Sequence, residues 1–156
     1  MISGLELCEF IERGGVLTDV EGTTPQEIYR NVIDAIKLPE GIDRELVYTE
    51  LCEREKVLST AVGNGIAIPH PRRPLMKNAE DQRIVVCFLK NPINMHAPDS
   101  LSVQTMFVLL SGSSQVHINV LASLAKLFRK TEFKKLLETK PSVDKLVSVI
   151  KQTELN

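Results

Sequence analysis

Apolar and polar positions along the chain follow two periods, and the switch between them divides it into helical and extended stretches. Leu5, Leu7, Cys8, Phe10 and Ile11 predict a short helix over Leu5 to Arg13, stopped by Gly14-Gly15. Val16 to Val20 predicts a short strand. Thr24-Pro25-Gln26-Glu27 reads as a helix start, with Thr24 as N-cap, Pro25 in the first helical position and Glu27 closing a capping box. Ile28, Val32, Ala35 and Ile36 then give a buried stripe, and Pro39-Glu40-Gly41 breaks the helix. Asp43 is placed to cap the next helix, which turns Leu46, Val47 and Leu51 inward and ends near Lys56.

Beyond Lys56 the texture changes. Ala61 to Ile68 is rich in small and β-branched residues around a turn at Gly63-Asn64-Gly65, and a very short strand runs into Pro69-His70-Pro71. A polar loop follows to Asp81. Ile84 to Leu89 and Val103 to Leu110 are nearly continuous apolar runs, the pattern of central strands covered on both faces. Val116, Val120, Leu121, Leu124 and Leu127 predict a long helix from Ser114 to about Arg129, and two short helices close the chain over Thr131 to Glu138 and Ser142 to Lys151. About four strands with helices on both sides predict an α+β fold, a three-layer α/β/α sandwich around a small mixed central sheet.

Composition narrows the function. At 156 residues, one domain spanning 1–156 is the expectation, with roughly 68–70% of the extended chain's surface buried on folding. The 19 Lys and Arg against 20 Asp and Glu leave a formal charge of −1, which argues against nucleic acid as a partner. No apolar run reaches the length of a membrane span, and the opening residues lack the pattern of a signal peptide. Cys8, Cys52 and Cys87 are widely spaced and odd in number, which fits a reducing cytoplasm better than a disulfide framework.

Three residues stand out as candidate chemistry. His70 lies between two prolines, Pro69 and Pro71, so its ring is presented from a stiff backbone at a strand end. Imidazole is also the side chain with a nucleophilic nitrogen available near neutral pH. His117 falls in the first turn of the long helix, where backbone amides favour an anion. Arg54 closes the helix before Ser59-Thr60, and a fixed guanidinium is what phosphoryl oxygens on a histidine require. Taken singly, each has a plainer reading: a loop histidine, a solvated helix-start histidine, and an arginine paired with a nearby glutamate. His96 reads as a loop residue without a role, and Cys52 and Cys87 as small buried hydrophobes. No third ligand accompanies His70 and His117, so neither a metal nor a cofactor is expected.

Together these segments resemble a known signature. Arg54-Glu55, Ser59-Thr60 and the run from Gly63 to His70 are similar to the phosphorylation-site motif of enzyme IIA of the bacterial phosphotransferase system, in its fructose–mannitol and nitrogen-regulatory class. His117 to Ala125 resembles the helix carrying that family's second histidine, and the likeness extends over nearly the whole chain, weakest before Thr24. The resemblance implies that His70 accepts a phosphoryl group from phospho-HPr or a paralogous carrier. It implies that His117 orients or hydrogen-bonds the phosphorylated ring, and that Arg54 neutralises the group's charge. Downstream it implies either a sugar-specific enzyme IIB or a regulated target protein, the stretch from Glu53 to His70 favouring the regulatory branch. A non-catalytic module that kept the fold is the remaining alternative, against which the three intact side chains speak. Ala61 stands where the family usually has glycine, and Pro71-Arg72-Arg73 replaces the usual small residue and single base after the histidine. These departures bear on transfer rate and partner choice.

Overall fold

Side-chain caps set where the helices begin. In the computed structural model, which describes residues 2–153, Ser3 caps α1 (Gly4–Gly14), Thr24 caps α2 (Pro25–Ala35) and Asp43 caps α3 (Arg44–Val57). Ser113 caps α4 (Ser114–Phe128) and Ser142 caps α6 (Val143–Gln152), while α5 (Thr131–Glu138) starts without a side-chain cap. Each cap satisfies an N–H that the helix cannot, a contribution of about 1 kcal/mol. At α2 the expected reciprocal bond differs: Thr24 accepts from the Glu27 amide, but the Glu27 carboxylate takes the N–H and hydroxyl of Thr23.

Two stripe positions also differ from the sequence expectation. Ala35 is exposed, because Tyr29 and Ile33 take the other edge of the α2 stripe and rotate it away from residue 35. Leu46 is exposed, and the inward face of α3 runs through Val47, Glu50, Leu51 and Cys52. A carboxylate on that face is the fact from which the site's geometry follows.

Five strands form one mixed sheet in the order β1-β4-β5-β3-β2: β1 (Val16–Val20), β2 (Ala61–Gly63), β3 (Ile66–Ala67), β4 (Arg83–Ile93) and β5 (Val103–Leu110). The turn expected at Gly63-Asn64-Gly65 joins two strands and not one, because Ala61–Gly63 pairs with the short strand after it, which raises the expected four to five. β4 pairs antiparallel with β5, while β1 and β3 run parallel to their neighbours β4 and β5. β4 extends through Pro92 to Ile93 beyond the predicted end. Its register with β5 shifts between Phe88 and Ile93, and such an irregularity accommodates a residue without an N–H.

The period of two along the central strands divides the core in halves. Ile84, Val86, Phe88, Phe107 and Leu109 pack with α1, α4, α5 and α6, while Val85, Cys87, Leu89, Met106 and Val108 pack with α2 and α3. Helices on both faces of a mixed sheet make the three-layer α/β/α sandwich of the predicted α+β class. The end of α1 lies directly on β4: a Cβ on Gly14 would stand 1.8 Å from the Ile84 carbonyl oxygen. Among the described residues no helix is long and apolar enough to cross a membrane.

Candidate functional site

The β2–β3 turn fixes the strand that leads to His70. Gly63, Asn64 and Gly65 all have positive φ, a run that only glycine and asparagine adopt at low cost. The turn is tied down from outside: the Asn64 amide donates to the Asp99 carboxylate at 2.8 Å, and the Gly65 carbonyl accepts from the amides of Gln104 and Thr105. Hydrogen bonding continues past β3, with the Ile68 amide on the Thr60 carbonyl and the Leu109 amide on the Pro69 carbonyl at 2.8 Å. His70 therefore leaves the sheet from an anchored backbone, as its flanking prolines predicted.

The half-buried His70 ring places Nδ1 2.9 Å from the carbonyl oxygen of Ile68. A carbonyl only accepts, so Nδ1 carries the proton and Nε2 keeps its lone pair. The ring of His117, carried on the first turn of α4, lies with its centroid 4.3 Å from that of His70 at an interplanar angle of 55°. Arg54, in the last turn of α3, donates from Nη1 to the Leu58 carbonyl at 2.6 Å, so its guanidinium is held by backbone and not by a neighbouring glutamate. These three side chains, 16 and 47 positions apart in the sequence, line one small pocket of about 120 Å³ together with Arg72, Arg73, Ser111 and Ser114.

The electrostatics follow from burial and cation proximity. Burial pushes the pKa of His70 down and Arg54 adds to this, against the opposing effect of the Ile68 carbonyl and Glu55. His117 is pushed down to about 4 by burial, then by His70 and by Arg54. Both rings are thus neutral at pH 7, and two neutral imidazoles face a pocket ringed by three guanidiniums. Such a site presents an unprotonated nitrogen to an electrophile and positive charge to the oxygens around it.

Two glutamates to which the sequence reading gave no role, Glu50 and the motif residue Glu55, organise this ring. Glu50 is only 3% exposed and takes Arg72 Nε at 3.1 Å and Arg73 Nη2 at 2.8 Å, while its backbone carbonyl accepts the Arg72 amide. Burial disfavours its charge, but the hydrogen bonds from Arg72 and Arg73 outweigh that and hold its carboxyl below the usual range. Its signal was present in the sequence: a carboxylate in register with Val47 and Leu51 needs a cationic partner. Glu55 accepts from the Tyr29 hydroxyl at 2.5 Å and from the amide and hydroxyl of Thr60 at 2.8 and 2.7 Å. It ties α2, the end of α3 and the start of β2 into one unit beside Arg54, and no spacing in the sequence announces that.

His96 and the cysteines lie outside this pocket, whereas Pro71 lines it. His96 is an exposed loop residue with φ of 57°. Cys52 and Cys87 are buried free thiols, as is Cys8. Ala61 opens β2 as a buried residue, and Pro71 is buried between the histidine and the Arg72-Arg73 pair. Among the described residues no group of three or more His, Cys, Asp or Glu is placed to hold a metal ion.

Comparison with known proteins places this geometry in a family. A nitrogen regulatory protein of Pseudomonas aeruginosa is 27% identical over 150 residues, covering 94% of this chain and 95% of that protein. One from Escherichia coli is 35% identical over 115 residues, covering 70% of this chain and 68% of its own length. The crystal structure of the nitrogen regulatory protein IIA-Ntr of Neisseria meningitidis superposes with a TM-score of 0.73 over 94% of this chain and 97% of the other, at 23% identity, and so shares the fold. Residues 9–153 match the family described as phosphoenolpyruvate-dependent sugar phosphotransferase system, EIIA 2, and the chain belongs to that family.

Proposed function

We propose that the chain is a phosphoryl carrier in which His70 Nε2 is the acceptor. The observation that carries this reading is the bond between Nδ1 of His70 and the Ile68 carbonyl, which leaves Nε2 unprotonated inside a cationic pocket. The Nε2 lone pair attacks the phosphorus of a phosphohistidine on the donor, phospho-HPr or a paralogous carrier. The donor's nitrogen–phosphorus bond breaks and its electron pair stays with the donor imidazole. Nδ1 keeps its proton throughout, so the new phosphohistidine still donates to Ile68.

Transfer of this kind is mainly positioning and charge neutralisation. Arg54 supplies positive charge to the phosphoryl oxygens, and His117 orients the phosphorylated ring or hydrogen-bonds its oxygens. With its pKa near 4, His117 offers a neutral N–H and adds no competing proton. Exposed Val57 and Leu58, three and four residues after Arg54, and Ile118, directly after His117, supply apolar surface for a carrier protein to cover during transfer.

Within the family, the nitrogen-regulatory branch is the reading we favour, on the names of relatives that match most of this chain's length. In that branch the phosphorylation state acts on a target protein; in the transport branch the group would pass to an enzyme IIB. The experiment is incubation with phosphoenolpyruvate, enzyme I and HPr, followed by intact mass. One added phosphate is expected, labile in acid and stable in alkali, and absent from His70→Ala. Wild-type protein that gains none from its cognate carrier would sink the reading.

A further inference from the structure

A cavity larger than the histidine pocket lies away from it. A cleft of about 590 Å³ opens between α5 and the end of the sheet formed by β3, β4 and β5. That volume lies within the range of small-molecule sites, roughly 300–1,000 Å³. It shares no lining residue with the histidine pocket.

Its chemistry is two-sided. Ile66, Phe88 and Leu137 lie at its bottom, nearly fully buried, and the exposed Pro92 and Leu101 give it accessible apolar surface. Lys134, Lys135 and Lys140 stand on one wall, and none of them has an ion pair among the described residues. Glu138 is the single carboxylate on the lining, so the wall keeps a surplus of positive charge. Thr105, 6% exposed, also lines the cleft and adds a hydroxyl to it.

We propose that this cleft is a second binding site, for a small organic anion with an apolar body. The body lies against Pro92 and Leu101 and the apolar bottom of the cleft, a polar atom of the ligand meets the Thr105 hydroxyl, and the anionic end reaches the lysine wall. A bare inorganic anion leaves the apolar surface unused, and an uncharged apolar molecule leaves the lysines unused. Both halves of the ligand are therefore required. Ile66 also belongs to the strand that continues to Ile68, whose carbonyl holds the His70 ring, so an occupant would rest against the strand that carries the acceptor candidate.

Octanoate and hexyl phosphate are suitable probes, titrated into the full chain with amide resonances followed by NMR; 1-octanol and acetate test each half of the ligand alone. Saturable shifts centred on Ile66, Phe88, Thr105 and Leu137 are expected with at least one of the two anions, and weaker, unsaturated shifts with the controls. Reversing both charges in Lys134→Glu/Lys135→Glu should weaken binding by about tenfold or more, and Thr105→Val by a smaller factor. Neither lysine belongs to the buried face of α5, which is Phe133 and Leu137, so the double variant remains folded, as its melting curve checks. The proposal is overturned if neither anion saturates, if octanol binds as tightly, if the lysine variant binds unchanged, or if the shifts centre on His70 and His117. None of these outcomes depends on whether His70 carries phosphate.

Discussion

Substituting Glu50 by glutamine tests the claim that a buried carboxylate builds the cationic rim of the histidine pocket. The substitution keeps the side chain's shape and removes its charge. Losing one partner of a wholly buried ion pair costs about 3–5 kcal/mol, because the other charge is stranded. Here the guanidinium side chains remain 54% and 60% exposed, so water can take over much of their solvation. The loss then reduces to two charge-assisted contacts and a misplaced buried amide, about 1.5–3 kcal/mol in all. For a chain of this size each kcal/mol lowers Tm by roughly 2–4 °C.

The pH dependence of that loss is the sharper part. The folded Glu50 carboxyl lies below its ordinary value of 4.5, so between the two values the unfolded chain binds more protons than the folded one. Its stabilisation is fully present above about pH 4.5 and disappears as pH falls through the folded value. Urea unfolding of wild type and Glu50→Gln should therefore differ at neutral pH, and the gap should narrow in acid, at about pH 3. No gap at neutral pH would refute the clamp. A gap that persists undiminished in acid would assign the effect to packing and refute the electrostatic argument.

Gly14→Ala should destabilise the fold by about 3 kcal/mol or more, read by denaturant unfolding, since the new methyl would meet the Ile84 backbone at 1.8 Å and backbone cannot yield. Tyr29→Phe should cost about 1.5–3 kcal/mol by removing a hydroxyl bonded to the Glu55 carboxylate, and an unchanged midpoint would show that bond to be dispensable. Titration of the histidine ring resonances should put His70 below its ordinary 6.5 and His117 near 4, and Arg54→Ala should move both upward, because Arg54 disfavours both cations. Two unmoved titrations would place Arg54 too far away to act on the rings. The same variant should take up phosphate at least about tenfold more slowly while melting as wild type does.

Local rules were enough for most elements. Caps at Ser113 and Ser142, the glycine–asparagine turn at 63–65 and the unbroken apolar runs of β4 and β5 act between residues close in the chain, and each is visible as a pattern. Patterns misled where a partner from elsewhere decided the face. Ala35 fits a helical stripe by spacing but turns outward because bulkier Tyr29 and Ile33 fill the interior. The end of β4 carries exposed Lys90, Asn91 and Pro92, so no alternation marked it as strand, and pairing of Ile93 with Val103 made it one.

For the site, the sequence alone singled out the side chains proposed to carry chemistry and determined how His70 is framed: two prolines, a rigid turn and a short strand are all local features. It also identified His117 and Arg54, through a resemblance of motif and not through any force that acts along the chain. Only the tertiary structure decided how these residues meet. The tautomer of His70 depends on one carbonyl two residues away, the ring contact with His117 on the docking of α4 beside β5, and the rim on Glu50 reaching from α3. A charge of −1 averaged over the chain concealed three arginines around two neutral histidines, because electrostatic interaction depends on distance in space and not on position in sequence.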